Sequence, residues 1–209
     1  MQDDGKIVVA GWFDFVNGVA RRGLARLNGD GSLDTTFNPP EPEIGPEGMS
    51  WRADAIAIDS DRKVLVAGAG FAADEWGHRL FRLNADGRRD STFVTDGFEE
   101  KIRKVFVLPD GRILIDHYGV IRRLNTDGSL DRTYNPADMG EILALQPDGK
   151  VLLLGTLPPP VNGALIRLNT DGSRDESFKI VPVADIGMGP SSAVVLSDGK
   201  IIIAGSVFA

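Results

Sequence analysis

RLNTDGSLDRTY, residues 123–134, decides how the rest of the chain is read. Val120 and Ile121 precede it as the apolar part of a strand. Asn125-Thr126-Asp127-Gly128 then makes a turn, because Asn and Asp side chains bond back to their own backbone and Gly takes a positive φ without strain. The chain resumes through Leu130 and closes on an aromatic, Tyr134. The same phrase stands at RLNGDGSLDTTF (26–37), RLNADGRRDSTF (82–93) and RLNTDGSRDESF (167–178). Self-similarity at this period, roughly 40 to 57 residues, marks an array of supersecondary units rather than one irregular domain.

Working outward from each copy exposes a second phrase. Asp-Gly-Lys followed by apolar residues occurs as DDGKIVVAG (3–11), SDRKVLVAG (60–68), PDGRILID (109–116), PDGKVLLLG (147–155) and SDGKIIIAG (197–205). Short apolar runs precede four of these: 55–58, 104–107, 142–145 and 193–196. Each unit therefore reads as four strands: an apolar strand, an Asp-Gly turn, a second strand apolar on both faces, and a third ending in Arg-Leu-Asn. After the Asn-x-Asp-Gly turn comes a fourth that ends in Phe37, Phe93, Tyr134 or Phe178. The expected fold is all-β, a β-propeller-like array of four-stranded blades with about four and a half repeats. The units run over 1–52, 53–101, 102–140 and 141–190, with a half unit at 191–209, within a single repeat domain spanning 1–209. The first unit lacks its first strand and the last stops after its second. Either 193–196 pairs with Ile7–Ala10 and closes a ring, or the chain forms an open arc of a larger propeller, with exposed sheet edges.

The succession Asp-Gly-Lys-apolar-Gly, then Asn17-Gly18 and Arg21, then RLNGDGSLDTTF resembles the delta-60 repeat family of bacterial proteins. The resemblance extends over essentially the whole chain, with the middle of each later unit varying. It implies propeller blades on large proteins that are often exported or at the cell surface, hence an extracellular setting, and it assigns no defined biochemical role.

Bulk properties narrow the function classes. A net charge of -7 with scattered Lys and Arg offers no basic face for nucleic acid or anionic lipid. No apolar run is long enough for membrane insertion as a helix. The N-terminus has acidic residues where a signal peptide would be basic. With no cysteine, disulfides, thiolate zinc sites and Cys nucleophiles are excluded.

Four groups of residues are candidates for sites. Asn28, Asp30 and Asp34, with the copies Asn84/Asp86/Asp90, Asn125/Asp127/Asp131 and Asn169/Asp171/Asp175, place oxygens at alternate positions around a Gly turn, as calcium loops do. No bidentate Glu completes them, and Arg88 and Arg89 lie inside one, so hairpin turns are the simpler reading and Ca²⁺ the alternative. Arg26, Arg82, Arg123 and Arg167 can meet Asp34, Asp90, Asp131 and Asp175 across a hairpin; recurrence in every unit makes that contact architectural. His78 and His117 lack a nucleophile or metal-ligand spacing, so an enzyme is not expected, though a hydrolase or lyase of propeller type is retained as a rival reading. The non-repeated stretches 12–22, 38–52 and 69–78 carry Trp12, Phe15, Trp51, Phe71 and Trp76 beside carboxylates. Those aromatics are candidates to bind protein or carbohydrate, or else cover blade edges. The functional expectation is a non-catalytic scaffold or binding module, continuous with further repeats in a larger protein.

Overall fold

The computed structural model describes residues 1–40, 52–69, 78–95, 101–155, 163–183 and 190–205. Among them are sixteen strands and no helix. The first blade is β1 (Ile7–Ala10) paired with β4 (Leu24–Leu27), with a separate hairpin, β2 (Phe15–Val16) and β3 (Val19–Ala20), inserted between them. The second blade is β5 (Arg52–Ile58), β6 (Val64–Ala69) and β7 (His78–Leu83). The third is β8 (Lys104–Val107), β9 (Ile113–His117) and β10 (Val120–Leu124). In the fourth, β11 (Gly140–Leu145), β12 (Val151–Gly155) and β13 (Ala164–Leu168) are joined by a short β14 (Val181–Pro182). A half blade follows, β15 (Pro190–Val195) and β16 (Ile201–Gly205).

All pairings are antiparallel, and all join consecutive strands except β1 with β4, which flank the β2–β3 hairpin. The array is open: β15 pairs with β16, and among the described residues β1 pairs only with β4. In every blade the segment expected as the fourth strand contracts to one bridge, Leu27 with Leu33, Leu83 with Arg89, Leu124 with Leu130 and Leu168 with Arg174; in the fourth blade β14 then pairs with β13, beyond the closing Phe178. The contraction has a local cause. Asp34, Asp90 and Asp131 accept the backbone N–H and hydroxyl of Thr36, Thr92 and Thr133, which turns the chain away from the sheet two residues after each Asp.

Doubly apolar second strands make sense once the sheets are stacked side by side. In β6, Val64 and Val66 pack toward the first blade with Val8, Leu24 and Phe37, while Leu65 and Ala67 pack toward the third with Ile113 and Ile115. In β12, Val151 and Leu153 face the third blade and Leu152 faces the half blade. The period-2 alternation of a strand thus divides one apolar run between two interfaces. The core is a series of seams between blades rather than a single interior.

Both turn phrases fold alike. Leu108 N–H bonds Arg112 O and Gly111 N–H bonds Leu108 O, and Asn125 with Ser129 and Gly128 repeats that pattern. The glycine takes the positive φ, 82° at Gly111 and 94° at Gly128. In the second blade Arg62 holds the same conformation at φ 61°, where the phrase has Arg instead of Gly.

Candidate functional site

The antiparallel topology sorts the chain into two ends. Every Asp-Gly-Lys turn and every Asn-x-Asp-Gly turn emerges at one end of the blades. Every connection from a second to a third strand, and from one blade to the next, emerges at the other. The repeated sequence therefore occupies one end, and the non-repeated sequence begins at the opposite end.

At the repeated end the polar residues are consumed in holding blades together. Arg26, Arg82, Arg123 and Arg167 each place Nε 2.7–2.8 Å from Oδ2 of Asp34, Asp90, Asp131 and Asp175. The basic residue of the second strand joins the same oxygen: Lys6, Lys63 and Lys150 at 2.8–2.9 Å and Arg112 at 3.3 Å. Each guanidinium also lies over the closing aromatic of its unit, 4.4–4.7 Å from the ring centroids of Phe37, Phe93, Tyr134 and Phe178. Three of the arginines reach the next blade, where Nη1 donates to the turn carbonyls of Ala85, Thr126 and Thr170 at 2.6–2.7 Å. The Arg–Asp contact seen in sequence is one part of a clasp that spans two blades.

These donors set the state of the carboxylates. Burial alone would raise the Asp34 and Asp90 carboxyls; the ammonium, hydroxyl, amide and guanidinium donors around each outweigh it and hold both well below the usual carboxylate range. Asp131 is lowered chiefly by the Thr133 hydroxyl and Asp175 chiefly by Lys150.

The same accounting applies to the calcium candidates. Asn28, Asn125 and Asn169 donate Nδ2 to the hydroxyls of Ser32, Ser129 and Ser173 at 2.9–3.0 Å. Those hydroxyls and the serine amides donate in turn to Oδ1 of Asp30, Asp127 and Asp171. Asp34, Asp131 and Asp175 point their oxygens into the clasp. The oxygens that a cation needs are thus aimed at protein donors, and among the described residues no group of three or more His, Asp or Glu side chains is placed to hold a metal ion. Thermal melts in EDTA and in millimolar Ca²⁺ are expected to coincide; a clear rise with calcium would reassign the turns as ion sites.

The non-repeated end is different. Trp12 is 79% exposed and Phe15 67% exposed, the former just past β1 and the latter in the β2–β3 hairpin. Trp51, Phe71 and Trp76 lie outside the described residues. A cleft of about 340 Å³ opens between the third and fourth blades, lined by Arg103, Asp116, Tyr118, Met139, Glu141 and Leu154. It forms because the second-to-third strand connection is here only Tyr118-Gly119, with φ of 48° and 84° as a two-residue hairpin requires. Asp116, almost wholly buried, accepts Gly119 N–H at 2.8 Å and, from the next blade, Ile142 N–H at 2.9 Å, which ties the short hairpin across the seam. Glu141 is paired with Lys104 at 2.8 Å. Arg103 stacks on the exposed Tyr118 ring at 5.1 Å. His117, one of the two histidines, places Nδ1 2.8 Å from Lys101 O and its ring perpendicular to that of Tyr118, with centroids 5.0 Å apart. The side chain of His78 lies outside the described residues. Sequence reasoning passed over Arg103, Tyr118 and Met139; the one available signal was the absence of an insertion after Asp116.

With the seams and both ends in view, the class is plain: an all-β array of propeller blades. The chain belongs to the domain of unknown function DUF5122, a β-propeller family, whose model matches residues 2–37, 60–93, 108–134 and 146–178, each match holding an Asn-x-Asp-Gly phrase. It is also similar to a crystal structure of a protein of unknown function from Bacteroides caccae, at 19% identity and a TM-score of 0.52, covering 94% of this chain and 68% of that one. None of the curated proteins matches it.

Proposed function

We propose that this domain is a non-catalytic binding scaffold of the delta-60 repeat type, a module of a larger exported or surface bacterial protein that engages protein or carbohydrate through the non-repeated end of its blades. The observation supporting the reading is the segregation of polar chemistry. At the repeated end the carboxylates and arginines are spent on the clasp. At the other, the non-repeated connections open the Tyr118 cleft and begin the insertion that carries Trp12 and Phe15 into solvent. A rigid scaffold with variable connections at one end is the usual basis of specificity, and exposed aromatics supply binding energy at little entropic cost.

The test is a binding screen of the whole chain against immobilised polysaccharides and candidate surface proteins, repeated with two sets of variants. Trp12→Ala/Phe15→Ala and Tyr118→Asn are expected to weaken whatever binding is found by about tenfold or more, at unchanged melting temperature. Asp30→Asn and Ser32→Ala, at the repeated end, are expected to leave it intact. The opposite pattern would sink the proposal.

A further inference from the structure

The cleft between the third and fourth blades is lined by three charged residues, and the protein answers two of them. Asp116 is almost wholly buried, and each of its carboxylate oxygens accepts a backbone N–H, one from Gly119 and one from Ile142. Glu141 is held by Lys104 at 2.8 Å. Arg103 is the exception. It is exposed, and among the described residues it forms no ion pair; its guanidinium lies over the Tyr118 ring at 5.1 Å. Stacking on a ring uses the flat face of a guanidinium and leaves its N–H edges for an acceptor lying in its plane. Apolar surface stands beside this open cation, since Tyr118 is 63% exposed and Met139 65%.

Resting on the reading of the non-repeated end as the binding end, we infer that this cleft takes a carboxylate-bearing pyranose, a uronic acid unit of an acidic polysaccharide. Arg103 receives the carboxylate, and Tyr118 and Met139 meet the C–H face of the sugar ring. One open guanidinium answers one negative charge, while Glu141 and the buried Asp116 repel a doubly charged group such as phosphate. A planar carboxylate matches the planar fork of Arg103. The volume of about 340 Å³ lies at the small end of the roughly 300–1,000 Å³ typical of small-molecule sites, so a short length of chain enters and not a folded surface. The walls also select sugar over peptide. Arg103 N–H bonds Asp116 O, Gly140 N–H bonds Gly119 O, Gly119 and Ile142 N–H bond the Asp116 carboxylate, and Ile142 O accepts Lys104 Nζ. These backbone groups are spent, so an extended peptide finds no ladder to join. A sugar needs none, because its outer hydroxyls stay in water. Asp116 fixes the Tyr118-Gly119 hairpin across the seam, so the cleft is shaped in advance and little ordering is lost on binding.

The probes are tetrasaccharides of galacturonate, of mannuronate, of guluronate and of the glucuronate-containing hyaluronan repeat, each paired with its carboxyl-reduced neutral counterpart and titrated calorimetrically into the whole chain. At least one acid is expected to saturate, and to bind about tenfold or more tighter than its neutral counterpart. Arg103→Gln, at an exposed side chain and so with an unchanged melt, should erase that preference and leave acid and neutral forms equal. Arg103→Lys should restore part of it, because an ammonium keeps the charge without the fork. No saturation by any acid at about 10 mM would overturn the inference. So would a preference that survives Arg103→Gln, or a tetraglutamate peptide that binds as tightly and with the same dependence on Arg103. Neutral sugars bound as well as acids, and lost in Trp12→Ala/Phe15→Ala, would overturn the uronate assignment while the non-repeated end kept its role. Sugar binding indifferent to Arg103, Tyr118, Trp12 and Phe15 alike would sink both.

Discussion

Arg123→Ala is expected to destabilise the fold by about 3–5 kcal/mol, the usual cost of breaking a buried ion pair and leaving its partner charge behind. Arg123 is only 4% exposed. Its Nε meets Asp131 at 2.7 Å, its Nη1 meets the Thr170 carbonyl at 2.6 Å, and its plane covers Tyr134. Alanine removes all three and leaves Asp131 with the more distant Arg112 at 3.3 Å. Arg123→Lys should fall between, because an ammonium can hold the carboxylate but cannot also present the planar fork to the next blade. The informative comparison is Arg167→Ala. It loses the same ion pair and an equivalent ring contact, but no carbonyl contact among the described residues, and its side chain is 20% exposed. Its cost should be smaller by about 1.5–3 kcal/mol, the worth of a hydrogen bond to a charged group. Urea unfolding of the three variants at a common m-value measures the differences. Equal costs for Arg123→Ala and Arg167→Ala would mean that the clasp stabilises each blade separately and contributes nothing across the seam.

How far such contacts can be read from sequence depends on their span. Strand positions were legible because doubly apolar runs such as Val64–Ala67 are bracketed by turn residues, and alternation within the run then divides them between seams. The Arg–Asp pair was legible because its members are eight residues apart around one turn. Lys6 joining Asp34, 28 residues away, and Arg123 capping Thr170, 47 residues away, were not, because nothing local distinguishes those partners. The fourth strand was over-read for a physical reason: a Thr two residues after the Asp bends the chain through side-chain hydrogen bonds that compete with the ladder. The cleft was missed because it is assembled from the start of β8, the turn after β9, the start of β11 and the end of β12. Exposure of Trp12 and Phe15 is consistent with either role foreseen for them, since an aromatic covering a blade edge and one waiting for a ligand look alike until a partner is present.

Gly128→Val should lower stability by at least about 3 kcal/mol, a fall in Tm on the order of 6–12 °C for a chain of this size. Two penalties combine there. The backbone sits at φ 94°, which costs a residue with a Cβ about 1–2 kcal/mol, and more when it is β-branched. A Cβ would also lie 2.7 Å from the Val94 carbonyl and 3.1 Å from the Phe93 ring, both in the preceding blade. A backbone carbonyl cannot swing aside as a flexible side chain can, so the blades must separate or the turn must distort, at a further cost of about 1–3 kcal/mol. Gly31 separates the two effects. It occupies the matching turn of the first blade at φ 84°, yet a Cβ there meets nothing within 4 Å. Gly31→Val should therefore show the conformational penalty alone. A large gap between the two variants locates the second penalty in the seam, where Val94 N–H also bonds Asp127 O. If the two melts coincide, the glycines serve only the turn, and the close approach of blades at Gly128 carries no energetic weight.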